Sequence, residues 1–398
     1  MNKIFTLFLG PAGFALIGQF QNLIAMGFAG SSLSLQNGWV SLTAKSAEDH
    51  AALTPIWRAG LRLTMAASLL VSLLILILIQ SDTLFLMLFP ESLVIENRAM
   101  LLFAIPGILS LTIAMVCQSA ANGLGDYRRF AILSIFASIS QCLWVFIFLK
   151  TSSWNLFAVI GTQSLLSAVF SLWFCRRTWK RYHSISGAGV QKKDFRIWLP
   201  FIAMGLLPML FSPLVQMLTR SVVANHLGWN TAGLWQGAFR ISDAFNVLFS
   251  SVLVVLILPH FSRISDAPDF YIRLKKILIR VLGLSAFCIL FFTFFRTLIL
   301  RLLFTEDFVI MAPYLPIQFL GDFFRPGCWC LGIVLVARQA AKPFLLIELF
   351  SQLLFFFISA AGISYFGIRA PFFAYATENA VTFVILFFTV RKLVWKRP

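Results

Sequence analysis

Seven ionisable side chains lie inside long apolar stretches of this sequence: Arg220, Arg240, Asp243, Asp322, Arg325, Glu348 and Glu378. A charge in such a stretch is costly, so it calls for a partner, a wet cavity or a task. Arg240 and Asp243 are three residues apart and share one helical face. Asp322 and Arg325 repeat the spacing in reverse order. Two readings stand. The pairs neutralise each other locally, or they line a polar cavity whose arginines hold an anion and whose acids bind a coupling proton or cation. Arginine suits phosphate because its planar fork donates two hydrogen bonds at once. Glu348 and Glu378 have no basic residue within one turn, so each is either a proton-exchanging group or a hydrogen-bonded structural acid. His226 and His260 stand near the ends of apolar stretches, where pH sensing is the sharper reading and a solvated helix end the blander one.

Other chemistries lack their residues. There is no phosphate-cradling glycine loop with lysine, no zinc-type His/Glu motif and no strained turn around a serine nucleophile. The cysteines, 117, 142, 175, 288, 328 and 330, all fall in or beside apolar runs. They read as small buried residues, not as a disulfide frame or a metal site, with Cys328-x-Cys330 as a redox pair the lesser alternative. No cofactor and no metal are expected. No loop between the apolar stretches is long enough for a nucleotide-binding domain, so transport would run on a gradient or on another subunit.

The elements that must hold these charges are transmembrane helices. Of 398 residues, 60% are apolar and 12% charged, where a soluble domain carries about a quarter charged. That much apolar surface needs lipid around it. A crossing takes roughly 20 mostly apolar residues, which gives eleven spans: 14–39, 63–79, 99–120, 130–149, 155–175, 197–219, 232–259, 281–295, 312–337, 343–361 and 371–390. The fold class is an all-α membrane protein. The net charge of +17 belongs to loops, not to a nucleic-acid surface. With the loop after the first span taken as cytoplasmic, cytoplasmic segments hold twenty-three Lys and Arg and the opposite side six. The positive-inside rule then puts the C-terminus in the cytoplasm and the N-terminus outside. The start of the chain has no pattern of a cleavable signal. Trp39, Trp154, Trp229 and Trp395 read as interface anchors. Pro200, Pro208 and Pro213 should bend or break the sixth span.

The chain divides into an N-terminal lobe, 1–175, of about five spans; a basic cytoplasmic linker, 176–196; and a C-terminal lobe, 197–398, of six. The lobes echo each other. Leu9-Gly10-Pro11-Ala12-Gly13 opens the first span and Leu227-Gly228 through Ala232-Gly233 opens the seventh. Each leads into a patch of Gln, Gly and Phe, Gly18-Gln19-Phe20 and Gln236-Gly237-Ala238-Phe239. A whole span precedes the second turn, but only eight residues precede the first. On this reading the sequence is one helix short of a six-plus-six plan, from a start placed inside a longer gene or from divergence.

Gly233 through Asp243, with Leu258-Pro259-His260-Phe261-Ser262-Arg263, resembles the Wzx-type flippases of bacterial surface polysaccharide synthesis. Leu320-Gly321-Asp322-Phe323-Phe324-Arg325, Ala337 through Lys342 and Glu348 through Gln352 carry the same likeness. So do Gly10 through Gly13 and Gln19-Phe20. The likeness is strongest to the O-antigen translocase and lipid III flippase group of the multidrug/oligosaccharidyl-lipid/polysaccharide exporter superfamily, and it covers nearly the whole chain. It implies twelve helices in two lobes around a cationic cavity, in the bacterial inner membrane. It further implies passage of an undecaprenyl-pyrophosphate-linked oligosaccharide to the periplasmic leaflet, the lobes rocking about 176–196. Arg220, Arg240 and Arg325 would then contact the pyrophosphate, and Asp243, Asp322, Glu348 and Glu378 would tune them or carry the coupling ion. Expected partners are the lipid-linked oligosaccharide, membrane lipids, and assembly proteins such as a polymerase and a chain-length regulator. The rival readings are a drug/cation antiporter of the same superfamily, a membrane-embedded glycan polymerase or ligase, and an inactive structural subunit. The first would favour acids over arginines, and the second a long periplasmic loop.

Overall fold

A computed structural model of the protein describes residues 2–46, 50–89, 98–150, 156–183, 190–262, 267–337 and 340–395. Among the described residues there is no strand. Helices satisfy their own backbone N–H and C=O groups, which lipid cannot do for them. The chain forms α1 (Asn2–Ser32), α2 (Gln36–Lys45), α3 (His50–Gln80), α4 (Asp82–Leu88), α5 (Ala104–Gly123), α6 (Tyr127–Lys150), α7 (Leu156–Thr162), α8 (Leu165–His183) and α9 (Lys192–Arg196). It continues with α10 (Leu199–Leu227), α11 (Trp229–Ser262), α12 (Ala267–Phe294), α13 (Arg296–Leu303), α14 (Leu315–Ala337), α15 (Ala341–Phe366) and α16 (Arg369–Trp395). Short 3-10 helices stand at Arg98–Phe103 and Glu306–Met311.

Nine stretches among the described residues are long and apolar enough to cross a membrane. The two remaining expected spans fall on α11 and α14, of 34 and 23 residues. At a rise of 1.5 Å per residue these are about 50 and 35 Å long, enough for a hydrocarbon core about 30 Å thick. The first span is interrupted. Leu33 and Ser34 take positive φ, 50° and 54°, and α2 restarts the helix at Gln36. In the sixth span α10 runs unbroken through Pro208 and Pro213, so of the bend or break expected there the break does not occur. Apolar surroundings hold a proline helix together when nothing competes for its remaining backbone bonds.

The internal repeat is visible in the backbone. Gly10 has φ 63° and Gly228 has φ 86°, so each LG turn joins two helices through a left-handed residue that only glycine adopts freely. Downstream, among the described residues, the order of long helix, short helix, 3-10 turn and long helix occurs twice, with 90–97 in the first half outside the described residues. It runs α3, α4, Arg98–Phe103, α5 in one half and α12, α13, Glu306–Met311, α14 in the other.

Two compact units result: 17–214, and 2–16 together with 215–398. The packing divides the chain within α1 and α10, whereas the sequence reading divides it at 176–196. Of that stretch, α8 reaches His183, 184–189 lie outside the described residues, and α9 closes it. In the first unit α5 packs against α2, α3, α6, α7 and α8; in the second, α14 packs against α11, α12, α15 and α16. Between helices in lipid the hydrophobic effect gives little, so small residues and close approach do the holding. Gly107 lies against the carbonyl of Gly161, and Gly161 against that of Phe103. In the second unit Gly233 lies against the carbonyl oxygen of Pro11. A methyl group at Gly233 would enter that oxygen's van der Waals shell, and both partners are backbone. Gly233→Ala is therefore expected to lower stability by about 1–3 kcal/mol, read as a lower thermal midpoint of the purified protein in detergent.

Trp39 is not an interface anchor. It is fully buried with Trp57 and Trp198, ring centroids 6.2 and 5.0 Å away, because α2 turns it into the unit's interior. Trp229 is half-buried against the small apolar cluster of Ala15, Val223, Ala224, Ala232, Ile363 and Ala370. Trp154 and the side chain of Trp395 lie outside what the structure describes.

Candidate functional site

The second unit gathers polar side chains from four helices. On α11, Gln236, Arg240 and Asp243 follow at four- and three-residue steps along one stripe, with Ser242 and Asn246 on the adjoining one. From α16, Tyr375, Glu378 and Asn379 share a face. Asp322 and Arg325 come from α14, Glu348 and Ser351 from α15. Residues distant in sequence meet here because α14 packs against both α11 and α16.

Asp322 is fully buried. Its carboxylate accepts from Ser242 Oγ at 2.6 Å, Tyr375 OH at 2.8 Å and Asn246 Nδ2 at 3.5 Å. It does not pair with Arg325, as the three-residue spacing suggested. Arg325 instead turns to α16, with Nη1 3.5 Å from Glu378 Oε1 and donating to Asn379 Oδ1 at 3.3 Å. Its guanidinium also lies over the Trp329 ring, 5.7 Å from the centroid. Glu378, which has no basic residue within one turn of its own helix, therefore has a cationic partner across the helix interface. It also accepts from Ser351 Oγ and Asn379 Nδ2, both at 2.6 Å. Glu348 is half-buried within Coulomb reach of Arg325 and Glu378.

Arg240 and Asp243 do form the pair their spacing predicts, at 3.5 Å. Arg220 is fully buried, donates to Gln236 Oε1 and lies over the Trp235 ring. Asp243 lies in the field of Arg240, Arg325 and Arg220, so all seven sequence candidates belong to one electrostatic cluster. Accessibility sorts them. The side chains of Arg240, Asp243 and Arg325 keep 28%, 42% and 22% of their exposure, while Arg220, Asp322 and Glu378 have at most 2%. Two cations and two acids, Glu348 being the second acid, thus keep some exposure, backed by a buried, hydrogen-bonded layer. Gln318, one turn before Asp322, is fully buried with both ends of its amide unpartnered among the described residues, and so is Asn246 Oδ1. Buried polar atoms rarely go unmet, and oxygen donors beside a carboxylate can join a bound cation.

Sequence reasoning missed Ser242, Asn246, Ser351, Tyr375 and Asn379. The signal available was position: each lies within a turn of a charge already singled out. Cys328 and Cys330 are buried free thiols, and Cys328 contacts the Asn379 carbonyl at 3.5 Å. His226 is exposed and meets the Val222 carbonyl of its own helix, while the side chain of His260 lies outside the described residues. No three His, Cys, Asp or Glu among the described residues gather as metal ligands.

No protein-family model matches the chain. Over 148 residues it is 26% identical to the lipid III flippases of Escherichia coli K12 and Shigella flexneri. That match covers 37% of this chain and only 36% of each relative. Solved structures match along nearly the whole chain. A multidrug resistance MATE transporter of the MOP superfamily, inward-facing, superposes with a TM-score of 0.75 at 15% identity over 97% of this chain and 90% of that one. A MOP-superfamily transporter from Pyrococcus furiosus gives 0.67 at 16%, over 99% and 90%. The lipid II flippase MurJ, inward closed, gives 0.66 at 16%, over 97% and 87%. The fold is that of the MOP-superfamily transporters.

Proposed function

We propose that this multi-pass membrane protein is a flippase, not an enzyme, for an undecaprenyl-pyrophosphate-linked oligosaccharide in the bacterial inner membrane. It would carry an O-antigen or enterobacterial common antigen repeat unit from the cytoplasmic to the periplasmic leaflet by alternating access, driven by an ion gradient. The observation that carries this reading is a pair of accessible arginines, Arg240 and Arg325, inside an apolar helical unit. A pyrophosphate needs charge-assisted donors, and a guanidinium supplies them in pairs. Arg220 would add positive field from beneath Asp243. Asp243, Asp322, Glu348 and Glu378 would tune the arginines or carry the coupling ion. The partial match to lipid III flippases supports the substrate class, and a polymerase and chain-length regulator are the assembly partners this role would need.

In proteoliposomes loaded with a radiolabelled lipid-linked oligosaccharide, Arg240→Gln should slow flipping at least about tenfold, the loss of one charged hydrogen-bond donor. Wild-type rates in Arg220→Gln, Arg240→Gln and Arg325→Gln alike would overturn the reading. The likeness to MATE transporters and the acids of the cluster favour a second reading, a drug/cation antiporter. Efflux of a cationic dye by cells carrying the protein, without oligosaccharide flipping, would select it.

A further inference from the structure

The first unit holds a pair of thiols apart from the charged network. Cys117 on α5 and Cys175 on α8 are both buried, and neither is in a disulfide. α5 packs against α8, and the two cysteines meet Leu133 of α6 in one small cluster, covered by Phe170 and Phe174. Within it the side chains of Cys117 and Cys175 share a hydrogen bond. Cysteines that lie far apart or point apart cannot be linked without moving the backbone. A pair whose sulfurs already touch meets that requirement. The remaining four cysteines are placed differently. Cys142 is exposed on α6, and Cys288 is half-buried on α12. Cys328 and Cys330, two residues apart on α14, face different sides of that helix.

The surroundings favour reaction at this pair over an inert packing role. Cys117 lines a cleft of about 490 Å³ between α3, α5 and α8. Met65 and Leu69, also in its lining, are exposed, so a small neutral molecule has a path to a sulfur that is otherwise buried. Arg129 stacks over the Phe174 ring at 5.6 Å and pairs with Asp126 at 3.4 Å, which holds a cation within Coulomb reach of Cys175. Ser171, one turn before Cys175 on the same stripe, is buried with its hydroxyl unpartnered among the described residues. Cys175 directly precedes Arg176, and Cys117 lies six residues before the end of α5, about 9 Å along the axis. The pair therefore stands toward the side that the loop charges assign to the cytoplasm.

We propose that Cys117 and Cys175 are a peroxide-reactive dithiol, which hydrogen peroxide converts to a disulfide tying α5 to α8. One cysteine, as its thiolate, attacks the near oxygen of the peroxide. The S–O bond forms and the O–O bond breaks. The departing hydroxide takes the proton that the thiol gave up, leaving a sulfenic acid and one water. The second thiol attacks the sulfenic sulfur, so the S–S bond forms and the S–O bond breaks. The hydroxyl leaves with that thiol's proton as a second water. Two thiols lose two electrons, and one peroxide becomes two waters. Toward the cytoplasm the disulfide is transient, because cellular dithiols reduce it by exchange. While it lasts it closes the chain between 117 and 175, which carries α6 and α7, and holds the first unit together. The pair lies wholly in that unit, so it stands independently of the charged cluster and of the substrate proposed for it.

Oxidation of the purified full chain in detergent tests this. After brief exposure to hydrogen peroxide the protein is unfolded, alkylated with N-ethylmaleimide, and read by intact mass and peptide mapping. The wild type should lose two hydrogens and give one linked peptide pair, Cys117 with Cys175, that dithiothreitol undoes. Its thermal midpoint should rise by about 5 °C, the scale of a bridge that closes a long loop. In Cys117→Ala and Cys175→Ala the link is lost, and the remaining thiol of the pair should advance to a sulfinic acid, gaining two oxygens. The wild-type peptide map decides the pairing by itself, even where a variant fails to fold. Cys117 and Cys175 recovered fully alkylated once Cys142 or Cys288 is oxidised would overturn the proposal, as would sulfinic acid at either member of the pair in the wild type. A linked protein with an unmoved midpoint would overturn the tie between the helices.

Discussion

Arg325→Ala is expected to cost about 3–5 kcal/mol of stability and to abolish translocation. Glu378 is almost wholly buried, and the Arg325 guanidinium 3.5 Å away is its cationic partner. Removing the arginine leaves a carboxylate in a dry interior with only Ser351 and Asn379 as donors. Breaking a buried pair from one side is expensive because the remaining ion keeps its desolvation cost and loses its compensation. Removing both charges is a different case. Arg325→Gln combined with Glu378→Gln leaves no ion to desolvate and two amides that can bond their neighbours, so most of the stability should return. Transport should not return, because one of the two accessible cations is gone and Arg240 alone remains. Thermal unfolding in detergent and the flipping assay, run on the single and double variants, separate the two effects. If the double variant is no more stable than Arg325→Ala, the pair is not the unit described. If it flips substrate at the wild-type rate, Arg325 does not hold the anion.

That same pair marks the limit of what the sequence discloses. Arg240 and Asp243 were legible as partners because both lie on α11, where helical geometry alone sets their distance. Glu378 and Arg325 lie 53 residues apart on different helices, and nothing in either local pattern names the other. The spacing of Asp322 and Arg325 pointed to a local pair that does not form. Asp322 sits deeper, where neutral donors from α11 and α16 reach it first. Spans were legible because length and apolarity decide them. The two LG turns were legible because glycine at a helix joint has a conformational reason. Trp39 misled because its place at the end of an apolar stretch cannot tell a headgroup neighbour from a second indole. The prolines of α10 leave the helix continuous, so of the two outcomes read from them, a bend or a break, the break does not occur.

The substitutions Asp322→Ala and Asp322→Asn should part company. Three donors converge on this carboxylate: Ser242 on Oδ2, and Tyr375 and Asn246 on Oδ1. Alanine strands the Ser242 and Tyr375 hydroxyls as donors in a buried place, at about 1–3 kcal/mol for each group left unmet, while Asn246 Nδ2 keeps the Tyr375 hydroxyl as its acceptor at 3.2 Å. A loss of several kcal/mol and of all transport is expected. Asparagine keeps the shape. Its oxygen can still accept from Tyr375 and Asn246, and its amide can donate to Ser242, whose hydroxyl can rotate to accept. Its stability should fall by only about 1 kcal/mol, the difference between charge-assisted and neutral hydrogen bonds. An amide, however, cannot take up a proton, and it holds a cation far less well than a carboxylate. If Asp322 carries the coupling ion, Asp322→Asn should fold normally and bind the lipid-linked substrate, yet move it at a rate that no longer responds to an imposed ion gradient. A gradient-dependent rate at the wild-type level in this variant would make Asp322 a structural acceptor only, and would move the coupling role to Asp243, Glu348 or Glu378.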